Sequence, residues 1–222
     1  MLTYIPSDTA NTFGSYQSQL IPQQGKKYLI KAIHPLYGVV TAEDVIPVPA
    51  QIISHDLLQY PDTINNLKDA TVKFKFKDDA GAENYYRINA WLYGTYRSVN
   101  QNGDTIENSS WQGLRPEMLT AVSDTVRDNG WFLLFSDKNF NGLEEELNLK
   151  FNNIQVADDF SSLNLYVELY TVSKTNFEYN KTLELYRHTN SNAEPVHVYS
   201  NVQNGYGIFA GADFQRMEFV VK

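Results

Sequence analysis

The sequence contains no cysteine among its 222 residues. That excludes a disulfide scaffold, a thiolate metal site and a cysteine nucleophile. Positive charge is scarce as well: 18 Lys and Arg stand against 26 Asp and Glu, a formal charge of −8. An acidic chain must overcome repulsion before it touches a phosphate backbone, so nucleic acid is not an expected partner. Long apolar runs are missing. A membrane-spanning helix needs about 18 or more consecutive apolar residues, and the densest stretches, Trp131–Phe135 and Leu163–Tyr170, are strand-sized. The opening segment MLTYIPSDTANTFGSYQ has neither the basic nor the apolar region of a signal peptide.

Aromatic residues are plentiful, with 15 Tyr, 12 Phe and 3 Trp making up 14 % of the chain. Apolar residues reach 42 %, enough for a sizeable core. The length suits one large domain or two small ones.

Strand signals dominate. Lys27–Ile33 alternates loosely after the turn Pro22–Gly25, and Tyr37–Pro49 begins at Gly38 and ends in two prolines that cannot donate to a ladder. A strand should stop near Ile46, and the boundary between two parts is set there, dividing residues 1–49 from 50–222. In Thr71–Lys77, Val72, Phe74 and Phe76 alternate with Thr71, Lys73, Lys75 and Lys77, the period-2 pattern of a half-buried strand. Asn84–Tyr93 follows the turn Asp78–Gly81 and is expected to be its hairpin partner. Gly94–Gln112 reads as a long polar loop. Trp131–Phe135, Leu143–Phe151 and Leu163–Val172 supply three more strands, and Tyr206–Phe209 with Arg216–Val221 forms a last pair. About eight short strands between turn signals predict a mainly β fold, an antiparallel β-sandwich or barrel. Two segments read as helical: Pro116–Val126, from the spacing of Met118, Leu119, Val122 and Val126 with a cap at Asn129-Gly130, although its β-branched Val and Thr content keeps a strand as the alternative there, and Ser173–His188, with a Ser cap.

No motif carries catalysis. Asp137-Lys138-Asn139-Phe140-Asn141-Gly142 matches the opening of a calcium loop, with oxygen side chains at alternate positions and Gly at the sixth. The twelfth position holds Asn148 instead of a bidentate Glu, so a Gly-containing turn is the better reading. Gly205-Tyr206-Gly207-Ile208-Phe209-Ala210-Gly211 is one residue too long for a dinucleotide loop and lacks the following helix; Asn204-Gly205 reads as a hairpin turn. Ser54-His55-Asp56 holds triad residue types, but neighbours in sequence point apart. His34, His188 and His197 are scattered. The acid pairs Asp78/Asp79 and Asp158/Asp159 and the run Glu144–Glu146 suit turns and solvated strand faces better than glycoside chemistry. Asn108 and Asn180 lie in short glycosylation-type triplets that arise by chance. The aromatics Tyr85, Tyr86, Trp91, Tyr93, Tyr96 and Trp111 gather around one hairpin. They suit core and cross-strand packing, or a platform for stacking sugars.

The run from Pro195 to Gly211 resembles the closing signature of a Bacteroidetes cell-envelope lipoprotein family, domain of unknown function forty-two forty-nine. The residues that carry this are Pro195, Tyr199, Ser200, Asn201, Asn204, Gly205, Gly207 and Phe209. Lys26–Ile33 with Gly38 and Ile46-Pro47, and Ser136-Asp137 with Phe140-Asn141-Gly142, are similar to two further family segments. The resemblance implies a lipidated cysteine upstream of Met1 and an immunoglobulin-like region of which residues 1–49 are a part. It implies location in the cell envelope, with any membrane contact through that lipid anchor. The partner it implies is an outer-membrane TonB-dependent receptor or its cargo. It supplies no catalytic residues, and no cofactor or metal is expected. The leading expectation is therefore a non-enzymatic binding or accessory component. A glycan- or small-ligand-binding module is the second, and a carboxylate hydrolase the third.

Overall fold

The computed structural model describes residues 3–5, 15–61, 67–128, 131–155, 160–189 and 196–221. Two short strands, β1 (Thr3–Ile5) and β2 (Ser15–Gln17), pair with each other. A hairpin follows, β3 (Lys27–His34) with β4 (Gly38–Val45). The remaining strands form two antiparallel sheets packed face to face as a β-sandwich, the predicted architecture. One sheet has four strands in the order β5 (Gln51–Pro61), β6 (Leu67–Lys77), β12 (Glu144–Gln155), β9 (Glu117–Met118). The other has six. Its path runs β10 (Ser123–Asp128), β11 (Phe132–Ser136), β7 (Tyr85–Val99), β13 (Phe160–Val172), β14 (Ala212–Val220), and β8 (Thr105–Leu114) also pairs with β7. β13 lies along one edge of β7. β11 and β8 share the other end to end, β11 against residues 85–89 and β8 against residues 90–99.

The core between the sheets follows from alternation. Val72, Phe74 and Phe76 of β6 and Leu147, Leu149 and Phe151 of β12 face Tyr86, Ile88 and Leu92 of β7, Leu165, Val167 and Leu169 of β13 and Met217 and Phe219 of β14, all buried. The lysines of β6 point outward, where Lys73 and Lys75 meet Glu146 and Glu144 of β12 at 2.9 and 3.6 Å. β5 ties the sheets together at its start: the Ala50 and Ile52 amides donate to Thr171 Oγ1 and Gln215 Oε1, each at 2.9 Å.

Helix α1 (Lys174–His188) begins as expected, with Ser173 Oγ accepting from the Asn176 amide at 3.2 Å. It lies over the outer face of the six-stranded sheet. Phe177 is buried there in a small second core with Tyr85, Leu134 and Val172.

Several expectations are corrected. Residues 116–126 are not helical; they contain β9 and lead into β10, because Met118 pairs with Leu149 on the edge of the four-stranded sheet. The suggested cap, Asn129-Gly130, lies outside the described residues. β6 and β7 are not hairpin partners: Asp78 and Asn84 anchor a link that carries the chain from one sheet to the other. Gly94–Gln112 is not a loop but the end of β7, a turn at residues 100–104 and most of β8. Tyr206–Phe209 is not a strand. Residues 199–211 instead form a strap across the β3–β4 hairpin.

That strap explains the C-terminal signature, of which Pro195 lies outside the described residues. Thr41 of β4 exchanges two backbone hydrogen bonds with Gln203. The Asn201 side chain donates to the Glu43 and Phe209 carbonyls and accepts from the Phe209 amide at 3.0 Å, so both its donors and its oxygen are engaged within the hairpin and strap. The Gly211 amide donates to Asp44 Oδ2 at 2.8 Å, and its carbonyl accepts from the Ser173 amide. A Cβ at Gly211 would lie 2.7 Å from the Val45 carbonyl carbon and 2.9 Å from Ile46 Cα, so only glycine admits this close backbone approach. Asn204 takes a left-handed φ of 60°.

Candidate ligand-binding face

The outer face of the six-stranded sheet is built from the odd-numbered positions of β7 and the even-numbered positions of β13 and β14. Register sets Tyr93 beside Trp111 and Asn164, Trp91 beside Gly113 and Tyr166, Asn89 beside Glu168, and Arg87 beside Tyr170. On β14, Glu218, Arg216 and Phe214 continue the rows of Tyr166, Glu168 and Tyr170. Helix α1 covers the end near Tyr85. The far end is open, with Trp111 63 % exposed.

The rings of Trp91, Trp111 and Tyr166 form a triangle with centroid separations of 6.1, 6.2 and 6.3 Å, and Tyr93 stands 4.5 Å from Trp111. Trp91 and Tyr166 are nearly parallel, at 22°. The third tryptophan belongs to the same face. The Trp131 ring lies on Gly113, where a Cβ would meet it at 2.8 Å, and Arg115 stacks on it at 4.9 Å. All three tryptophans of the chain therefore sit on one surface. Tyr96 does not join them: it falls on the opposite face and packs edge-on against Phe160. Tyr86 is also internal, and Tyr85 lies under α1 against Phe177.

A charged group sits at the centre. Glu168 is 1 % exposed, and its Oε1 accepts from Arg216 Nε and Nη2 at 3.0 and 2.8 Å. Its Oε2 accepts from the Tyr170 hydroxyl at 2.6 Å. Burial, then the bond to Glu168, pushes the Tyr170 pKa up. The Arg216 guanidinium lies 5.3 Å from the Trp91 ring centre and 5.6 Å from that of Tyr166. Glu218 Oε1 accepts from the Tyr166 hydroxyl and the Asn164 amide. Below this layer, Arg87 Nε, Asn89 Oδ1 and Trp91 Nε1 are buried without a hydrogen-bond partner, three successive outward positions of β7. Sequence reading singled out Trp91, Tyr93 and Trp111 but missed Tyr166, Glu168 and Arg216. The signal was the alternation of Asn164, Tyr166, Glu168 and Tyr170 in β13, which gives that strand a polar, aromatic outer face.

The other candidates have structural employment. Asp78, 3 % exposed, accepts from the Tyr86 hydroxyl and the Gly142 amide. Asp137, 1 % exposed, accepts from the Asn84 amide at 2.9 Å, and burial, with Asp78 adding to it, pushes its pKa up. Phe140, in the middle of the calcium-like stretch, is buried against Phe76 and Phe135, so Asp137–Gly142 is a turn that plugs the end of the core. Asp79 caps Gly81. Asp158 and Asp159 lie outside the described residues. Ser54, His55 and Asp56 alternate along exposed β5. His34 stacks on Tyr37 at a hairpin tip, and His188 meets Glu184 at 2.7 Å on α1. Glu184 and His188 help to line an open groove of about 890 Å³ between α1 and residues 118–127. Among the described residues, no three His, Asp or Glu side chains gather where they could hold a metal ion. No described helix is long and apolar enough to cross a membrane.

A family model described as Domain of unknown function (DUF4249) matches residues 3–218. The chain belongs to the DUF4249 family. The match extends from β1 into β14, so hairpin, strap and both sheets of the sandwich all fall within the DUF4249 region. No curated protein matches the chain.

Proposed function

We propose that this DUF4249 chain is a non-enzymatic binding component of the cell envelope, an accessory to TonB-dependent transport across the outer membrane, with the receptor or its cargo as partner. The observation that carries the binding role is the outward face of the β3–β4 hairpin. The opposite face, with Ala42 buried and Asp44 bonded, turns toward the strap. The outward one presents Leu29, Ile33, Val39 and Val45, exposed by 64, 69, 39 and 37 %, interleaved with Lys27, Lys31 and Glu43. Leu36 and Tyr37 extend it at the tip. Apolar side chains gathered in this way on one face of an exposed hairpin suit a protein partner. The envelope location and the transport partner rest on the resemblance carried by the C-terminal signature. The absence of a reaction is supported by the buried carboxylates of Asp78, Asp137 and Glu168, each of which is spent on groups of its own fold.

The experiment is capture of the tagged protein from outer membranes of its natural host. Co-purification of a TonB-dependent receptor is expected, and its loss in the double variant Leu29→Asp/Ile33→Asp, whose melting should stay near that of the parent because both side chains are exposed. Recovery without any receptor, or capture unchanged in the variant, would overturn the proposal.

A further inference from the structure

We infer that the open end of the six-stranded sheet, the surface of Trp91, Trp111, Tyr166 and Arg216, is a binding site for a neutral polysaccharide chain. The inference rests on the reading of the protein as a binding component, but it concerns a different surface from the β3–β4 hairpin and a different ligand. Three observations carry it.

The first is the disposition of the rings. The apolar face of a pyranose packs on the face of an aromatic ring, and Trp is the ring with most to offer. Trp91, Trp111 and Tyr166 lie within 6.1–6.3 Å of one another, Trp91 and Tyr166 almost parallel, with Trp111 the most exposed of the three at 63 %. Nothing in the core requires this exposure, since the inward positions of the same strands already fill the space between the sheets.

The second is what stands between the rings. Arg216 keeps donors beyond the two it gives to Glu168, and its side chain is 46 % exposed beside Trp91 and Tyr166. Glu218 has one oxygen bonded by Tyr166 and Asn164 and a second that neither of those bonds uses. Planar bidentate groups beside a ring are what vicinal hydroxyls need, because such groups fix two hydroxyls at once while the ring takes the C–H face.

The third is charge. Arg87 and Arg216 are balanced on this face by Glu168 and Glu218. Arg115, stacked on Trp131 at the border, adds a single positive charge, so the net pull of the surface on an anion or a cation is small, in a protein whose overall charge is −8. An uncharged chain fits that balance; an acidic polysaccharide does not.

The test uses the 222-residue chain in affinity gel electrophoresis with barley β-glucan, xyloglucan, galactomannan and the acidic polysaccharide pectin, each in the gel. Intrinsic fluorescence is read in parallel, because every tryptophan of the protein lies on this surface. Retardation by at least one neutral polysaccharide is expected, with a change in tryptophan emission. Trp111→Ala should weaken it about tenfold or more, the loss that goes with one stacked ring, while Trp111→Phe recovers most of the binding and Tyr206→Ala, at an exposed residue of the strap, leaves it unchanged. Both Trp111 variants should melt with the parent. Retardation by none of the neutral polysaccharides, retardation by pectin alone, or binding indifferent to Trp111→Ala would overturn the inference. So would loss of receptor capture in Trp111→Ala with neutral-polysaccharide retardation intact, since that would make the face a protein contact. Failure of receptor capture at the hairpin, by contrast, leaves this result readable on its own.

Discussion

Gly211→Ala is the sharpest probe of the C-terminal strap. The new methyl would sit 2.7 Å from the Val45 carbonyl carbon and 2.9 Å from Ile46 Cα. Carbon atoms are comfortable at about 3.5–4.0 Å, so the strap and β4 must separate by about 1 Å, and both obstacles are backbone that no rotamer change can clear. Overpacking of this kind costs about 1–3 kcal/mol. The displacement also stretches the 2.8 Å bond from the Gly211 amide to the Asp44 carboxylate, and bonds to charged groups contribute about 1.5–3 kcal/mol. Together the loss is about 2.5–6 kcal/mol. A chain of this size loses about 2–4 °C of melting temperature per kcal/mol, so a fall of about 10 °C is expected by far-UV circular dichroism. Gly103→Ala is the control. Gly103 has φ of +86° with nothing within 4 Å of a new Cβ, so it reports conformational strain without collision. Its cost is about 1–2 kcal/mol. Trypsin should also cut the hairpin of the Gly211 variant sooner at Lys26, Lys27 and Lys31. If Gly211→Ala melts no lower than Gly103→Ala, the close approach of strap and hairpin is wrong.

Three further outcomes are expected. Phe177→Ala should cost about 3–5 kcal/mol, because it empties the contact between α1 and the sheet, and helical ellipticity should be lost before strand signal on heating. Glu168→Ala should cost about 1–3 kcal/mol by urea unfolding, since it leaves the Tyr170 hydroxyl without its acceptor while Arg216, 46 % exposed, turns to water; no loss at all would mean the carboxylate does not order this face. Asp137→Asn should be more stable than the parent at pH 7. The folded pKa of Asp137 is raised above its unfolded value of about 3.9, so its ionised form is disfavoured in the fold, and that disadvantage fades as pH falls through the folded pKa and is gone below the unfolded one. Urea midpoints that differ equally at pH 7 and pH 3 would contradict this.

How much of this was legible can be traced residue by residue. The strand over Thr71–Lys77 was plain, because Val72, Phe74 and Phe76 all enter one core while the lysines stay outside. Its neighbour was not, since alternation fixes which face is buried and carries no information about partners; Asp78 and Asn84 take the chain to the other sheet by bonds to Gly142 and Asp137, some 60 and 50 residues away. The polar stretch after Tyr93 passed for a loop because β7 and β8 turn Thr95, Arg97, Ser109 and Trp111 outward, and because Gly94, which reads as a turn, makes room for the Phe160 ring. The spacing of Met118, Val122 and Val126 has helical period but is divided between two sheets. The aromatic half of the outer face was visible around one hairpin. Its charged half comes from β13 and β14, and only the register of those strands with β7 unites the two.

The strap has a mechanical meaning as well. Tension drawn through the residues before Gly25 enters the hairpin and reaches the sandwich by two routes. One is the covalent link from β4 to β5. The other divides among Thr41, Glu43 and Asp44, whose bonds to Gln203, Asn201 and Gly211 act beside the bond that the Thr175 hydroxyl of α1 donates to Asp44 Oδ1. Through the Gly211 carbonyl and the Ser173 amide, that second route ends at the first turn of α1, the helix that covers the inner end of the tryptophan face. A pull at one end of the chain is thus felt at the border of a surface built mostly from its middle.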